Sequence, residues 1–301
     1  MNRLALFAFT LVLATASAVR AAAPTVAEVL AQAPATDWRP LAPENTLLME
    51  LGPGRQVLIE LAPRFAPRHV ANIRTLARAG YWDGLAIVRV QDNYVAQWGD
   101  PDAEVPTKAR SLGTAERRLP AEFSVPLQGL PLVRLPDADG WAPVTGFVDG
   151  MPVAADPATG QAWLAHCYGM VGAGRDTPRD SSNGAELYAV IGQSPRGLDL
   201  NITVVGRVLD GMQWLAALPR GTAEMGFYAE PVQRSNITRI RLLEQVPLAE
   251  RPALEVLRTD SATWPKLLDA RRVRGEDWFV HSPRHIGLCN ATVPTRPRPA
   301  P

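Results

Sequence analysis

Apolar positions alternate in NTLLMELGPGRQVLIEL (45–61), and Gly52-Pro53-Gly54 interrupts them midway. Two strand-like runs around such a break predict a β-hairpin. The period then changes. In APRFAPRHVANIRTLARAGYW, Val70, Ile73, Leu76 and Ala77 recur at three- and four-residue spacing, which predicts a helix with one apolar stripe. Pro67 suits its first turn and Gly80 its end. Further strand-like runs follow at 86–90, 94–98, 186–191, 203–208 and 237–243, with a short amphipathic helix over 211–218. Residues 26–31 predict one helical turn or more in an Ala- and Pro-rich lead-in over 22–45. A polar, Pro-rich middle begins at Asp102, and extra hairpins are predicted around Asp149-Gly150 and 158–160. Many short strands with one early and one late helix predict a mainly β fold, a closed antiparallel barrel capped by two helices. The tail from Pro247 to Pro301 reads as a separate piece that ends in a low-complexity, Pro-rich run.

Composition changes this picture little. The 301 residues are 47% hydrophobic, enough for a sizeable core, and 31 basic against 30 acidic side chains give a net charge of +1. That balance provides no basic field for nucleic acid or anionic lipid. The first residues matter more. Arg3, the apolar stretch Leu4 to Leu13 and the small residues before Ala18 and Ala21 form the pattern of a cleaved secretory signal over 1–21. The stretch is short for a span of ~20 residues. The expectation is an exported, periplasmic protein with no membrane attachment after cleavage. In an oxidising compartment the only two cysteines, Cys167 and Cys289, favour a disulfide, with two separate buried thiols as the alternative.

The chemistry lies in GLAIVRVQDNYVAQWGDP (84–101), where Arg89 sits in the middle of an apolar run. An unpaired buried guanidinium is expensive, so Arg89 either faces water or waits for a ligand. The surrounding residues decide. Ala66-Pro67, Val70, Asn72, Gly80-Tyr81, Asp83-Gly84, Arg89-Val90, Gln97 and Gly99-Asp100 keep the order and spacing of the signature of cyclophilin-type peptidyl-prolyl isomerases. NGAELYAVIG (183–192) and LDLNITVVGRVLDGM (198–212) resemble that family's later blocks.

The resemblance implies an eight-stranded barrel over 46–246, with an insert at about 102–166 and an extension over 247–301. It also implies isomerisation of Xaa–Pro bonds in proline-containing polypeptides, without cofactor or metal. It makes Arg89 the catalytic arginine and Gln97 the residue that orients it. Tyr94, Val95, Tyr188 and Leu198 fall on the proline pocket, and Gly172 and Ala173 on the segment whose backbone meets the substrate. Several positions depart from the family pattern. Val95 replaces Met, Gly197 and Ile202 stand where many members have Trp and His, and Glu186 replaces Gln beside the arginine. A carboxylate there would either pin Arg89 or preorganise it. A catalytically weak module that binds proline-containing segments is the alternative reading. Oligomeric state stays open. His281 and His285 have i, i+4 spacing, but Pro283 between them and the lack of further ligands argue against zinc.

Overall fold

The hairpin forms where the alternation places it, as strands Thr46–Glu50 and Gln56–Leu61 paired antiparallel. These coordinates are a computed structural model that describes residues 23–276 and 278–299. The signal segment expected over 1–21 lies outside the described residues. The hairpin lies next to one end of a nine-stranded antiparallel sheet. Its strands run in the order Ser235–Asn236, Ala86–Val90, Val95–Gly99, Leu187–Val190, Met170–Ala173, Val204–Asp210, Gln56–Leu61, Thr46–Glu50 and Arg239–Leu242. The sheet is curled, because its first and last strands are separated in sequence by only Ile237 and Thr238. Ile237 N–H donates to Leu85 O (2.8 Å), and Thr238 N–H donates to Glu50 O (2.7 Å). The last strand expected over 237–243 is Arg239–Leu242, and Ser235–Asn236 just before it pairs on the opposite edge, which gives the sheet nine strands.

The concave face packs Leu47, Met49, Ile59, Trp98, Leu187 and Val205 into one core, together with Val70, Ile73 and Leu76 of the helix Pro67–Arg78. The second helix, Met212–Ala216, is shorter than expected and buries Leu215. Gly211 precedes it at φ 89°, and a Cβ there would lie 2.2 Å from Gln56 O. Only glycine fits this crossing.

The insert forms its own five-stranded sheet over 125–164. The lead-in and the tail are not separate pieces. Trp38–Pro40 and Thr295–Pro297 flank Leu254–Leu257 in a three-stranded sheet, and the helix Val26–Ala31 packs on the tail helix Thr263–Val273. A second apolar cluster joins all these parts to the convex face of the main sheet. It includes Phe147, Trp163, Trp264 and Leu267 with Val95, Tyr188 and Val190. Cys167 and Cys289 are bonded across this junction, with Cα atoms 4.9 Å apart and a sequence separation of 122. Among the described residues no helix is long and apolar enough to cross a membrane.

Candidate active site

Arg89 reaches the convex face through a break in strand register. Ile87 pairs with Trp98 and Arg89 with Gln97, so Val88 is an extra residue in the ladder. In a regular strand Ile87 and Arg89 would share a face. The bulge leaves Ile87 in the core and turns Arg89 outward, a common role of bulges beside functional sites. From Arg89 a single row crosses the sheet: Gln97 pairs with Tyr188, and Tyr188 with Gly172. Directly opposed residues share a face, so these side-chain positions line one stripe. Val95 and Val190, two residues along each strand, extend it. The alternate residues Ala96, Trp98, Leu187 and Ala189 fill the core on the other side.

The guanidinium is held at three points. Nε donates to Met225 O (2.6 Å), Nη1 to Gln97 Oε1 (3.0 Å) and Nη2 to Gln91 Oε1. Its carbon lies 5.5 Å from the Tyr94 ring centroid and 5.4 Å from that of Phe227, so two aromatic faces flank the cation. Arginine has five N–H donors. Three have acceptors among the described residues, which leaves one on each terminal nitrogen for a ligand. Burial lowers the Arg89 pKa, while Tyr94 and Glu186 act in the opposite direction.

Glu186 does not pair with Arg89. Gln97 stands between them, donating from Nε2 to Glu186 Oε1 and accepting from Arg89 at Oε1. The carboxylate therefore fixes which end of the Gln97 amide faces the arginine. Burial lifts the Glu186 pKa above its ordinary value, Asp176 and Glu104 add to the lift, and the bond from Gln97 opposes it. If Arg89 acts on the substrate, replacing Glu186 with Gln should raise kcat/KM about 2- to 5-fold, because a nearby charge that favours the resting guanidinium is lost; ~0.5–1 kcal/mol on the barrier gives that factor. The sign of the pH dependence follows. Protonation of Glu186 mimics Gln, so wild-type turnover should rise as pH falls through the raised carboxyl pKa. Glu186→Gln should be flat over that range. A variant rate at or below wild type would refute this.

Tyr188 is 4% exposed and Val95 2%. The Tyr188 hydroxyl lies 2.9 Å from His166 Nε2, and His166 Nδ1 lies 3.0 Å from Asp199 Oδ1. Burial would raise the Asp199 pKa, but bonds from His166 and the charge of Arg196 hold it below its ordinary value. Asp199 is thus the acceptor for Nδ1–H, and the Tyr188 hydroxyl is the partner of Nε2. Burial, with Tyr94 and Asp199 adding to it, pushes the phenol pKa well above 10 and keeps the donor protonated. A Cβ at Gly172 would lie 2.2 Å from this hydroxyl, so the Tyr188 ring occupies the space of the missing side chain. Tyr188→Phe should leave His166 Nε2 unpaired and cost about 1–3 kcal/mol of stability. Thermal melting would register that loss, while the retained ring should keep turnover within about 2-fold of wild type.

The other expected residues are placed as follows. Tyr94 is half-buried against Arg89. Leu198, half-buried, ends the 3₁₀ turn Ser194–Leu198, one residue before Asp199. Gly172 and Ala173 lie in an interior strand paired on both edges, and the Ala173 N–H donates to Thr203 O (3.0 Å). That donor serves the sheet. Its side chain joins the concave core rather than the stripe. Gln91, Met225 and Phe227 were not expected. The two last come from a loop 136 or more residues away that crosses the edge of the Arg89 strand, and no local pattern in the sequence announces that crossing. Among the described residues no group of three or more His, Cys, Asp or Glu could hold a metal.

Residues 46–242 match the family model described as cyclophilin type peptidyl-prolyl cis-trans isomerase/CLD. A protein of Brucella suis biovar 1 named "Probable peptidyl-prolyl cis-trans isomerase" is 30% identical over 196 residues, covering 63% of this chain and 79% of that protein. Peptidyl-prolyl cis-trans isomerase B of Bacillus subtilis is 44% identical over 48 residues, 16% of this chain and 34% of its own length. Among solved structures, cyclophilin AquaCyp293 from Hirschia baltica superposes with a TM-score of 0.64 at 25% identity. That likeness covers 86% of this chain and 92% of the other. It extends past residues 46–242 into the lead-in or the tail.

Proposed function

The chain belongs to the cyclophilin-type peptidyl-prolyl cis-trans isomerase family, and we propose that it accelerates Xaa–Pro isomerisation with Arg89 as the donor to the prolyl imide nitrogen. One observation carries the assignment of Arg89. The guanidinium is oriented by neutral acceptors, has no carboxylate within ion-pair distance among the described residues, and keeps an N–H on each terminal nitrogen.

Amide resonance sets a barrier of ~18–20 kcal/mol, and uncatalysed isomerisation takes ~10–100 s. Rotation is easier once the imide nitrogen pyramidalises, and a cation aimed at its lone pair stabilises that twisted state. One such donor supplies ~3–4 kcal/mol, by analogy with oxyanion-hole losses. An apolar surround that strips water from the amide supplies more. Tyr94, Val95 and Tyr188 support that role. No proton transfer is required, and the reading needs no metal or cofactor.

The burial of Tyr188 and Val95 favours a second reading, a catalytically weak module that binds proline-containing segments. A proline-isomerisation assay on the protein from residue 22, with an Ala-Pro tetrapeptide, separates the two. Turnover above background supports the enzyme. Peptide binding at background rate supports the module.

We further read the main sheet as a closed barrel. The chain 235–242 pairs with Ala86–Val90 at one end and with Thr46–Glu50 at the other, which supports closure. The domain is read as 46–246 carrying the insert 102–166, with the described residues of the tail 247–301 folded onto it. The signal-like segment 1–21 supports export to the periplasm, where the substrates would be other exported polypeptides.

A further inference from the structure

The insert carries an exposed tryptophan that the main sheet does not need for its core. Trp141 is 59% exposed, yet its backbone is firmly placed. Two aspartates in the loop Asp137-Ala138-Asp139-Gly140-Trp141 anchor it from different directions. Asp137 accepts from Arg272 of the tail helix at 2.6 and 2.8 Å and from the Ile286 N–H at 2.9 Å. Asp139 pairs with Arg196 at 3.3 Å and also accepts from the Trp141 N–H at 2.8 Å.

Arg196 then presents its guanidinium 5.5 Å from the indole centroid. It is itself almost wholly buried and is held on its other side by Asp199, at 2.9 Å. Asp199 is the residue that orients His166 under Tyr188. One face of the indole therefore lies against Arg196, which is linked through Asp199 and the buried His166 to Tyr188 of the stripe. Gly197, next to Arg196, would have no atom within 4 Å of an added Cβ, so the space beside the platform is open.

The geometry points to Trp141 as a wall of the substrate site, contributed by the insert, that contacts the side chain next to the target Xaa–Pro bond and selects an apolar or aromatic one. This rests on the proposed isomerase reading and adds the specificity that Arg89 cannot provide, since a donor to the imide nitrogen is blind to flanking side chains. Three features support it. A rigid, flat, exposed indole loses little conformational freedom when a ligand covers it. Its cationic platform comes from the same turn as Leu198, an expected pocket residue. Finally, the tail anchors the insert loop that displays it, through Arg272 and the Ile286 N–H on Asp137.

The test compares wild type, Trp141→Ala and Trp141→Phe on two peptides, Ala-Ala-Pro-Phe and Ala-Ala-Pro-Ala, blocked at the N-terminus. Turnover and calorimetric binding are both measured, and melting temperature reports folding. The expected result is a KM about 5- to 10-fold higher for the Phe peptide in Trp141→Ala, with kcat within 2-fold. The Ala peptide should change less than 2-fold, and Trp141→Phe should recover most of the loss. Equal effects on both peptides, or none, would overturn the assignment. If wild type shows no turnover, the isomerase reading fails separately. Binding then decides: selective weakening of the Phe peptide by Trp141→Ala retains the wall, and no peptide binding to wild type removes it.

Discussion

Replacing Arg89 with alanine should lower kcat/KM for an Ala-Pro tetrapeptide by about 10²–10³-fold, the range seen when one preorganised donor to a developing charge is removed. The loss should fall mainly on kcat, because the contact strengthens as the imide nitrogen pyramidalises and its lone pair localises. The fold should survive. Arg89 is half-buried at the edge of the convex face, and Gln91 and the exposed Met225 can turn to water once the guanidinium is gone. Arg89→Lys sharpens the test. Lysine keeps the charge but not the planar fork that reaches Met225 O, Gln97 and Gln91 together. It should therefore retain only a small fraction of the activity. Circular dichroism and melting curves would show that both variants are folded. Rates for Arg89→Ala within 2-fold of wild type would remove Arg89 from the mechanism.

That Arg89 and Gln97 lie side by side was legible because strand spacing and a run of family blocks fix them together. The reason Arg89 faces outward was not. In Ala86–Val90 the arginine follows Ile87 by two residues, and regular alternation would send both into the core. The extra residue at Val88 becomes visible only when the register with Val95–Gly99 is known. The role of Glu186 illustrates a related limit. Its proximity to the arginine could be inferred, but whether it touched Arg89 or Gln97 depended on side-chain geometry, and the amide proved to lie between. The tail shows a different failure. Its strands Leu254–Leu257 and Thr295–Pro297 are short, and the second contains Pro297. The helix Thr263–Val273 begins with a proline at its third residue, which a first turn tolerates but which reads as a break. These elements gain stability from packing on the lead-in and the insert rather than from local propensity. The hairpin and the helix Pro67–Arg78, by contrast, carry their own periodicity and appear where it places them.

The largest effect on stability should come from removing the bond between Cys167 and Cys289. The bridge spans 122 residues, and the chain-entropy relation gives close to ~5 kcal/mol for a loop of that length. With ~2–4 °C lost per kcal/mol in domains of 150–250 residues, the double Ser variant should melt more than ~10 °C below wild type. Reduction of the wild type should reproduce the shift. A change under ~2 °C would show that the cluster around Trp264 and Leu288 holds the tail without the bridge. The location of Cys167 makes the same variant informative about the site, because it directly follows His166, whose ring supports Tyr188. If the bridge acts only by restricting the unfolded chain, turnover measured well below the melting temperature should stay near the wild-type value. If it also holds His166 in register, kcat should fall while the secondary structure is unchanged. Tyr188→Phe separates these cases further: it removes the hydroxyl contact to His166 and leaves the bridge intact. Because Tyr188→Phe alone should leave turnover within about 2-fold, a larger fall in kcat on loss of the bridge must come from the displaced imidazole itself, and it should persist in the Tyr188→Phe background.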